Sequence, residues 1–292
     1  MPFSRFFNVV KILIFLIILL GFAFFTPKNV FAGTETISFS SSSSVTTASG
    51  FVGDTTNTVF LSGGAKRTTY TIYWASTGTG TTVNLGTCAT SGSSTTCSLA
   101  ITIPHSSKGN WIIHDNSSGG NGANTLTFTV SPKIASVSPA SGNRNTTVTV
   151  SGTGFAAETV NVYFGIPSTY LLGSATVTSG TGGTNGDLSV SAAAPSMPFN
   201  NYTMYATGAL NGTITSSQAF NMQPSVSLSA SSGPWGTTIT ISGWGFATSS
   251  AITIRQDGVD TATTGTADTN GAFTGISYTP TGVAGNHNIA AR

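Results

Sequence analysis

The sequence predicts an all-β chain: tandem β-sandwiches, in three copies with the last incomplete, after an N-terminal signal peptide. Three observations predict it. Ser232 to Phe246 reads SGPWGTTITISGWGF, and ninety-one residues earlier Ser141 to Phe155 reads SGNRNTTVTVSGTGF, with nine of fifteen positions identical. Short apolar alternations with period two run through the chain, bounded by Gly, Pro, Asn and Asp. Charged residues make up only 6% of the sequence, while Thr, Val, Ile, Tyr, Phe and Trp abound. That composition suits pleated, half-buried surfaces.

The first element is not part of the mature fold. Arg5 and Lys11 precede a fourteen-residue apolar run, Ile12 to Phe25, and Val30-Phe31-Ala32 follows. A basic start, an apolar centre and small residues before a cut describe a secretory signal peptide over residues 1–32, with cleavage after Ala32. An uncleaved anchor is the rival reading. Fourteen helical residues span about 21 Å, short of a hydrocarbon core of about 30 Å. A membrane would be met only through this segment, if it stays uncleaved.

Removing Arg5, Lys11 and Lys28 leaves seven basic against eight acidic residues, a formal charge of about −1. No basic face is available to neutralise phosphates, which excludes nucleic acid as a partner. The two cysteines, Cys88 and Cys97, are expected to form a disulfide, brought together by a hairpin over the small residues between them.

The copies are expected at 33–131 (divergent, with the disulfide), 132–223 and 224–292. Each opens on a short strand: Ile37–Phe39, Ile134–Val137 and Val226–Leu228. Each continues into a second strand carrying Val59 and Leu61, Val148 and Val150, or Ile239 and Ile241, closed by a Ser-Gly pair. A third strand holds Tyr70, Ile72 and Trp74, then Val160, Val162 and Phe164, then Ile252 and Ile254. Trp74 and Trp111 alternate with polar residues and are expected in the core. Segments 98–104, 187–195 and 272–280 each end in proline, and a further strand follows each at 109–115, 200–206 and 285–291. Asp257-Gly258 and Asn270-Gly271 read as hairpin turns. About seven short strands per repeat describe an immunoglobulin-like β-sandwich. The first two copies end on a last strand, Leu126–Val130 and Gln218–Met222. The third stops at Arg292 without one, and is expected to be truncated.

PKIASVSPASGNRNTTVTVSGTGF resembles the opening of IPT/TIG domains: an I-x-x-x-x-P strand, a Gly turn, a T-V-T-V-x-G strand and a closing G-x-G-F. PSVSLSASSGPWGTTITISGWGF resembles it too, with Ala230 in the place of Pro139. The first copy lacks the closing G-x-G-F. The resemblance implies an extracellular, often surface-attached, multidomain protein, and it carries no catalytic residues or cofactors.

No catalytic or metal motif is found. His105, His114 and His287 have no ligand spacing, and His114-Asp115 reads as a solvated strand end. Asp268-Thr269-Asn270-Gly271 lacks the further oxygen ligands of a calcium loop. Asp257 and Asp260 flank a polar turn. With only Lys66, Lys108 and Lys133 beyond the leader, a Lys–Asn isopeptide staple is not expected. Trp235 and Trp244 stand where the second copy has Arg144 and Thr153, and such exchangeable positions are surface candidates for ligand contact, since an indole face suits a sugar ring. Four sequons are possible N-glycosylation sites: Asn116, Asn145, Asn201 and Asn211. The function expected is a non-enzymatic, secreted or cell-surface stalk, spacer or adhesive segment, whose partners are extracellular glycans or proteins. Prolines at Ser131-Pro132 and Gln223-Pro224 would restrict the angles between copies. The alternative is a carbohydrate-binding accessory region of a larger secreted enzyme.

Overall fold

A computed structural model describes residues 35–42, 44–76, 83–116 and 125–292. The leader, residues 1–32, lies outside them. The described residues contain strands, turns and no helix.

The first sandwich consists of β1 (Thr36–Ser38), β2 (Thr47–Gly50), β3 (Asn57–Ser62), β4 (Thr69–Ser76), β5 (Val83–Ala89), β6 (Cys97–Ile101), β7 (Gly109–Asp115) and β8 (Thr125–Val130). One sheet has the order β1-β3-β6 and the other β2-β8-β7-β4-β5. The second sandwich repeats the plan with β9 (Lys133–Ser138), β10 (Ser141–Gly142), β11 (Thr147–Thr153), β12 (Thr159–Phe164), β13 (Leu171–Thr176), β14 (Leu188–Ala193), β15 (Asn201–Gly208) and β16 (Gly212–Met222). Its sheets are β14-β11-β9 and β10-β16-β15-β12-β13. In both, the last strand lies between an antiparallel neighbour and a short parallel one: β8 between β7 and β2, β16 between β15 and β10.

The third sandwich has β17 (Ser225–Leu228), β18 (Ile239–Trp244), β19 (Ala251–Gln256), β20 (Val259–Thr266), β21 (Phe273–Tyr278) and β22 (Ile289–Ala291). Its sheets are β17-β18-β21 and β20-β19-β22. Among the described residues, β22 lies at the end of its sheet.

Alternation explains why these segments pair as they do. Tyr70, Ile72 and Trp74 point inward from β4, and Val148 and Val150 from β11, with the half-buried Thr71, Tyr73 and Thr149 between them on the opposite face. Each sandwich encloses its own core. Trp74 stacks on Trp111 with centroids 5.8 Å apart in the first, and Phe164 packs edge-on to Phe220 at 5.5 Å in the second. The third core, around Ile241, Ile252 and Ile254, has Val226, Ala230, Ile276, Ile289 and Ala291 only partly covered at its margin.

Three local expectations are corrected. Cys88 and Cys97 are bonded, with Cα atoms 5.7 Å apart, but no hairpin joins them. β5 and β6 belong to different sheets, so the disulfide links the two faces of the sandwich. Asp257-Gly258 does turn the β19–β20 hairpin, both residues having positive φ. Asn270-Gly271 instead carries the chain from one sheet to the other, because β20 and β21 do not pair. The Ser-Gly pair ends β3, yet in β11 and β18 it lies inside the strand, where the register shifts by a bulge.

Candidate functional site

The glycines of the repeated G-x-G-F do different work. A Cβ on Gly152 would stand 2.6 Å from the Phe155 ring, and one on Gly243 would stand 2.8 Å from the Phe246 ring. These glycines make room for the phenyl groups that seal each core. The second glycine faces the preceding linker. Gly154 (φ +76°) would place a Cβ 2.5 Å from the Ser131 carbonyl oxygen, and Gly245 (φ +76°) would place one 2.6 Å from that of Gln223. Only glycine combines the left-handed backbone with so close an approach.

The phenylalanine backbone completes the junction. The Phe155 N–H donates to Gly186 at 2.9 Å, and its carbonyl accepts from the Lys108 N–H of the first sandwich at 3.2 Å. At the next junction the Phe246 N–H donates to Gly271, and its carbonyl accepts from the Phe199 N–H of the second sandwich, both at 3.0 Å. Lys108 and Phe199 are ninety-one residues apart, as are Phe155 and Phe246. Gly186 and Gly271 lie against Ser106 and Pro198, the loops just before those donors. The two junctions therefore share one set of backbone contacts.

Side chains reinforce both. At the first junction the Lys133 ammonium lies 5.0 Å from the centroid of the Phe51 ring. At the second the Arg144 guanidinium lies 4.9 Å from the Trp244 ring. A cation–π contact thus bridges each junction, with the cation supplied by the later sandwich in one and the earlier sandwich in the other. The first junction is also tied to the core of its sandwich. Trp74 Nε1 donates to Ser106 Oγ at 3.0 Å and Trp111 Nε1 to the Ser107 carbonyl at 2.9 Å. The loop so held donates its Ser107 N–H to Gly180, and its His105 Nδ1 lies 2.9 Å from Asp187 Oδ1. Lys108 Nζ donates to the Leu210 carbonyl at 2.6 Å. That carbonyl belongs to the β15–β16 turn, which Glu158 organises by accepting from the N–H groups of Leu210 and Asn211. Burial alone would raise the Glu158 carboxyl, but these hydrogen bonds outweigh it and hold the group below the usual carboxylate range.

The two tryptophans singled out in the sequence have different fates. Trp244 has one ring face against Arg144, a contact between sandwiches. Trp235 is 84% exposed. It borders a groove of about 280 Å³ lined by Leu228, Ala230, Ile239, Val283 and Ile289. Sequence reading missed Phe51, His105, Ser106, Lys133 and Arg144 as junction residues. The period of ninety-one was the signal that could have found the backbone donors.

The remaining candidates are engaged locally. His114 stacks on Tyr73 and meets the Asp115 carbonyl. Asp268 Oδ1 accepts the N–H groups of Asn270 and Ala272, capping its own turn. Asp260 pairs with Arg255 at 2.9 Å and with Arg292. Asp257 Oδ2 lies 2.7 Å from His287 Nδ1, and this hydrogen bond, followed by the Asn288 N–H, holds the Asp257 carboxyl low. The same bond, followed by the Val283 carbonyl, raises the His287 imidazole. Among the sequons, Asn145 and Asn201 are exposed, and Asn116 Oδ1 accepts the Thr71 N–H. Asn211 is corrected. It is only 6% exposed, its Nδ2 donates to Glu158 and its Oδ1 accepts the Ala156 N–H, so no room is left for a glycan.

No curated protein matches the chain. Similar solved structures include a tetra-tandem repeat in the extending region of a large adhesion protein, with 16% identity over 89% of this chain and 74% of that one, at a TM-score of 0.30. Another is the Bacteroides ovatus mixed-linkage glucan utilization locus protein SGBP-B in complex with a mixed-linkage heptasaccharide, with 16% identity over 79% and 64% of the two chains, at 0.26. A third is the N-terminal eight Ig domains of Down Syndrome Cell Adhesion Molecule, with 12% identity over 74% and 28%, at 0.24. The family model for the IPT/TIG domain matches residues 132–204. The greater part of the second sandwich is therefore similar to an IPT/TIG domain, set in a chain of tandem immunoglobulin-like sandwiches.

Proposed function

We propose that the chain is a non-enzymatic, extracellular or cell-surface structural segment, a stalk or spacer that holds an adhesive surface at a set distance. One observation carries this reading: the Lys108–Phe155 backbone contact of the first junction recurs as Phe199–Phe246 at the second, ninety-one residues on. A repeated junction fixes each sandwich relative to the last, so length and direction are encoded in the number of copies. Near-zero charge and a Ser/Thr-rich surface give such a spacer little electrostatic attraction to chance partners.

The test is small-angle scattering of the chain beside the double variant Phe51→Ala, Arg144→Ala. Each cation–π contact contributes about 0.5–1 kcal/mol at exposed sites, so removing both loosens the junctions while leaving each core intact. A broader distribution of radii of gyration is expected. Equal breadth in the two proteins would reject the spacer mechanism.

A second reading, a carbohydrate-binding accessory region, is favoured by Trp235, whose indole is exposed beside the groove. A glycan array on the parent chain and on Trp235→Ala tests it. Binding that survives the substitution, or no binding at all, rejects it.

A further inference from the structure

The outer face of the five-stranded sheet carries one row of side chains in two versions. In the second sandwich it runs Leu171–Tyr163–Tyr205–Thr215 across β13, β12, β15 and β16, each residue directly opposite the next. In the first it runs Asn84–Tyr73–His114–Thr125 across β5, β4, β7 and β8. Both rows place two rings side by side at their centre. The Tyr73 and His114 rings stack with centroids 5.4 Å apart. Alternation turns the second row away from the core, because Val162, Phe164, Met204 and Ala206 take the inward positions. A bulge prepares each row. The register shifts between Ile72 and Tyr73 in the first sandwich and between Val162 and Tyr163 in the second. The extra residue is Leu85 or Leu172, which packs on the core and leaves Asn84 or Leu171 opposite the tyrosine on the outer face.

The surroundings favour one kind of ligand. The neighbouring row of the second sandwich is Ser174–Asn161–Thr207–Thr213, hydroxyls and an amide throughout. Thr71 and Thr87 hold the same place in the first. Two residues along a strand are about 7 Å apart and neighbouring strands about 4.8 Å, so rings and hydrogen-bonding groups share an area the size of one or two sugar rings. No Asp, Glu, Lys or Arg occurs in β10, β12, β13, β15 or β16. The face offers flat apolar surface and neutral hydrogen-bonding groups, and no charge to hold a charged partner. Leu171 is 59% exposed, so the row is open to solvent at that edge, and Tyr163 and Tyr205 beside it are half-buried. The third sandwich has the same bulge without the rings. Arg255 stands in the tyrosine's place, with Ala290 on one side and Asp260 on the other, and pairs with Asp260 at 2.9 Å.

We propose that the outer face of the second sandwich, and its repeat on the first, bind a neutral oligosaccharide of pyranose units. The C–H face of a sugar ring lies on the aromatic pair, and the hydroxyls at its rim hydrogen-bond to the Ser, Thr and Asn side chains of the adjoining row. An aromatic pair directly across two strands also strengthens the sheet. Valine supports strand pairing but has no ring, so its substitution separates the two roles. The site uses neither Trp235 nor a junction residue, and it stands whether the chain is a spacer or an accessory region.

The experiment adds soluble hexasaccharides to the full chain: cellohexaose, laminarihexaose, mannohexaose and chitohexaose, with the anionic hexamer of galacturonic acid as the charged control. Calorimetry reads affinity and stoichiometry. The faces predict that a neutral hexasaccharide binds at two sites per chain, and that the charged hexamer binds roughly tenfold more weakly or less, since its carboxylates find no partner. Tyr163→Val with Tyr205→Val is expected to leave one site, and adding Tyr73→Val with His114→Val to leave none, with the circular dichroism of the sheets unchanged. In the parent chain the ring resonances of Tyr163 and Tyr205 must shift on binding, whether or not the variants fold. Trp235→Ala is expected to keep both sites. No binding of any neutral hexasaccharide at millimolar concentration, unmoved tyrosine resonances, sites that survive the valines, or equal binding of the charged hexamer overturns the proposal. Binding lost in Trp235→Ala also overturns it, by assigning the sugar to the third sandwich. So does a chain that self-associates in sedimentation and becomes monomeric with the valines, which assigns the rings to a second copy. None of these outcomes bears on the scattering test of the junctions.

Discussion

Replacing Gly245 by alanine probes the junction at one atom. Two costs are expected. The first is the left-handed backbone at φ +76°, about 1–2 kcal/mol for an L-residue. The second is steric, because the new Cβ would stand 2.6 Å from the Gln223 carbonyl oxygen. Neither the linker nor the bulged strand can yield without disturbing its own hydrogen bonds, and overpacking of this kind costs about 1–3 kcal/mol more. Gly236 provides the control. It has φ +82° and nothing within 4 Å of the position a Cβ would take, so Gly236→Ala incurs the first cost alone. Hydrogen exchange in β18 and β19 reports the stability of the third sandwich by itself. Gly245→Ala is expected to destabilise it by about 1–3 kcal/mol more than Gly236→Ala. Equal losses would leave Gly245 as a turn residue with no role in the junction.

Two further predictions concern the staples of single sandwiches. Replacing Cys88 and Cys97 by serine is expected to lower the stability of the first sandwich by roughly 2–3 kcal/mol, the chain-entropy value for so short a loop, measured by urea unfolding with and without reductant. The His287–Asp257 contact makes the third sandwich sensitive to pH. His287 is raised above 6.5, so its contribution is complete below that value and is lost as pH rises through the folded pKa. Asp257 is lowered below 3.8, so its contribution is present above that value and is lost as pH falls through the folded pKa. Stability of the third sandwich should therefore be greatest between these limits, and His287→Gln should flatten the alkaline side; NMR titration of the imidazole against melting temperature checks both.

Individual strands were legible because alternation is local. Tyr70, Ile72 and Trp74, or Val148 and Val150, announce a buried face without reference to any neighbour. The choice of sheet was not legible. Cys88 to Cys97 and Asn270-Gly271 carry turn residues that suit a hairpin, yet both connections cross between sheets. Turn chemistry specifies a reversal of the chain and says nothing of which strand it will meet. The partner of Trp244 was hidden for a related reason. The exchange of Trp244 with Thr153 correctly signalled a position outside the core, but its partner Arg144 lies in the preceding copy, at the place the third copy gives to Trp235. The junction was written in the repeat all along, in glycines whose two tasks, admitting a ring and approaching a carbonyl, look the same in one-letter code.

Shared junction contacts are expected to hold the three sandwiches as one body. Residual dipolar couplings measured on all three in one weakly aligned sample test it most directly. Couplings from all three are expected to fit a single alignment tensor of common magnitude. Three tensors of different magnitude would mean that the sandwiches reorient independently, and would contradict it.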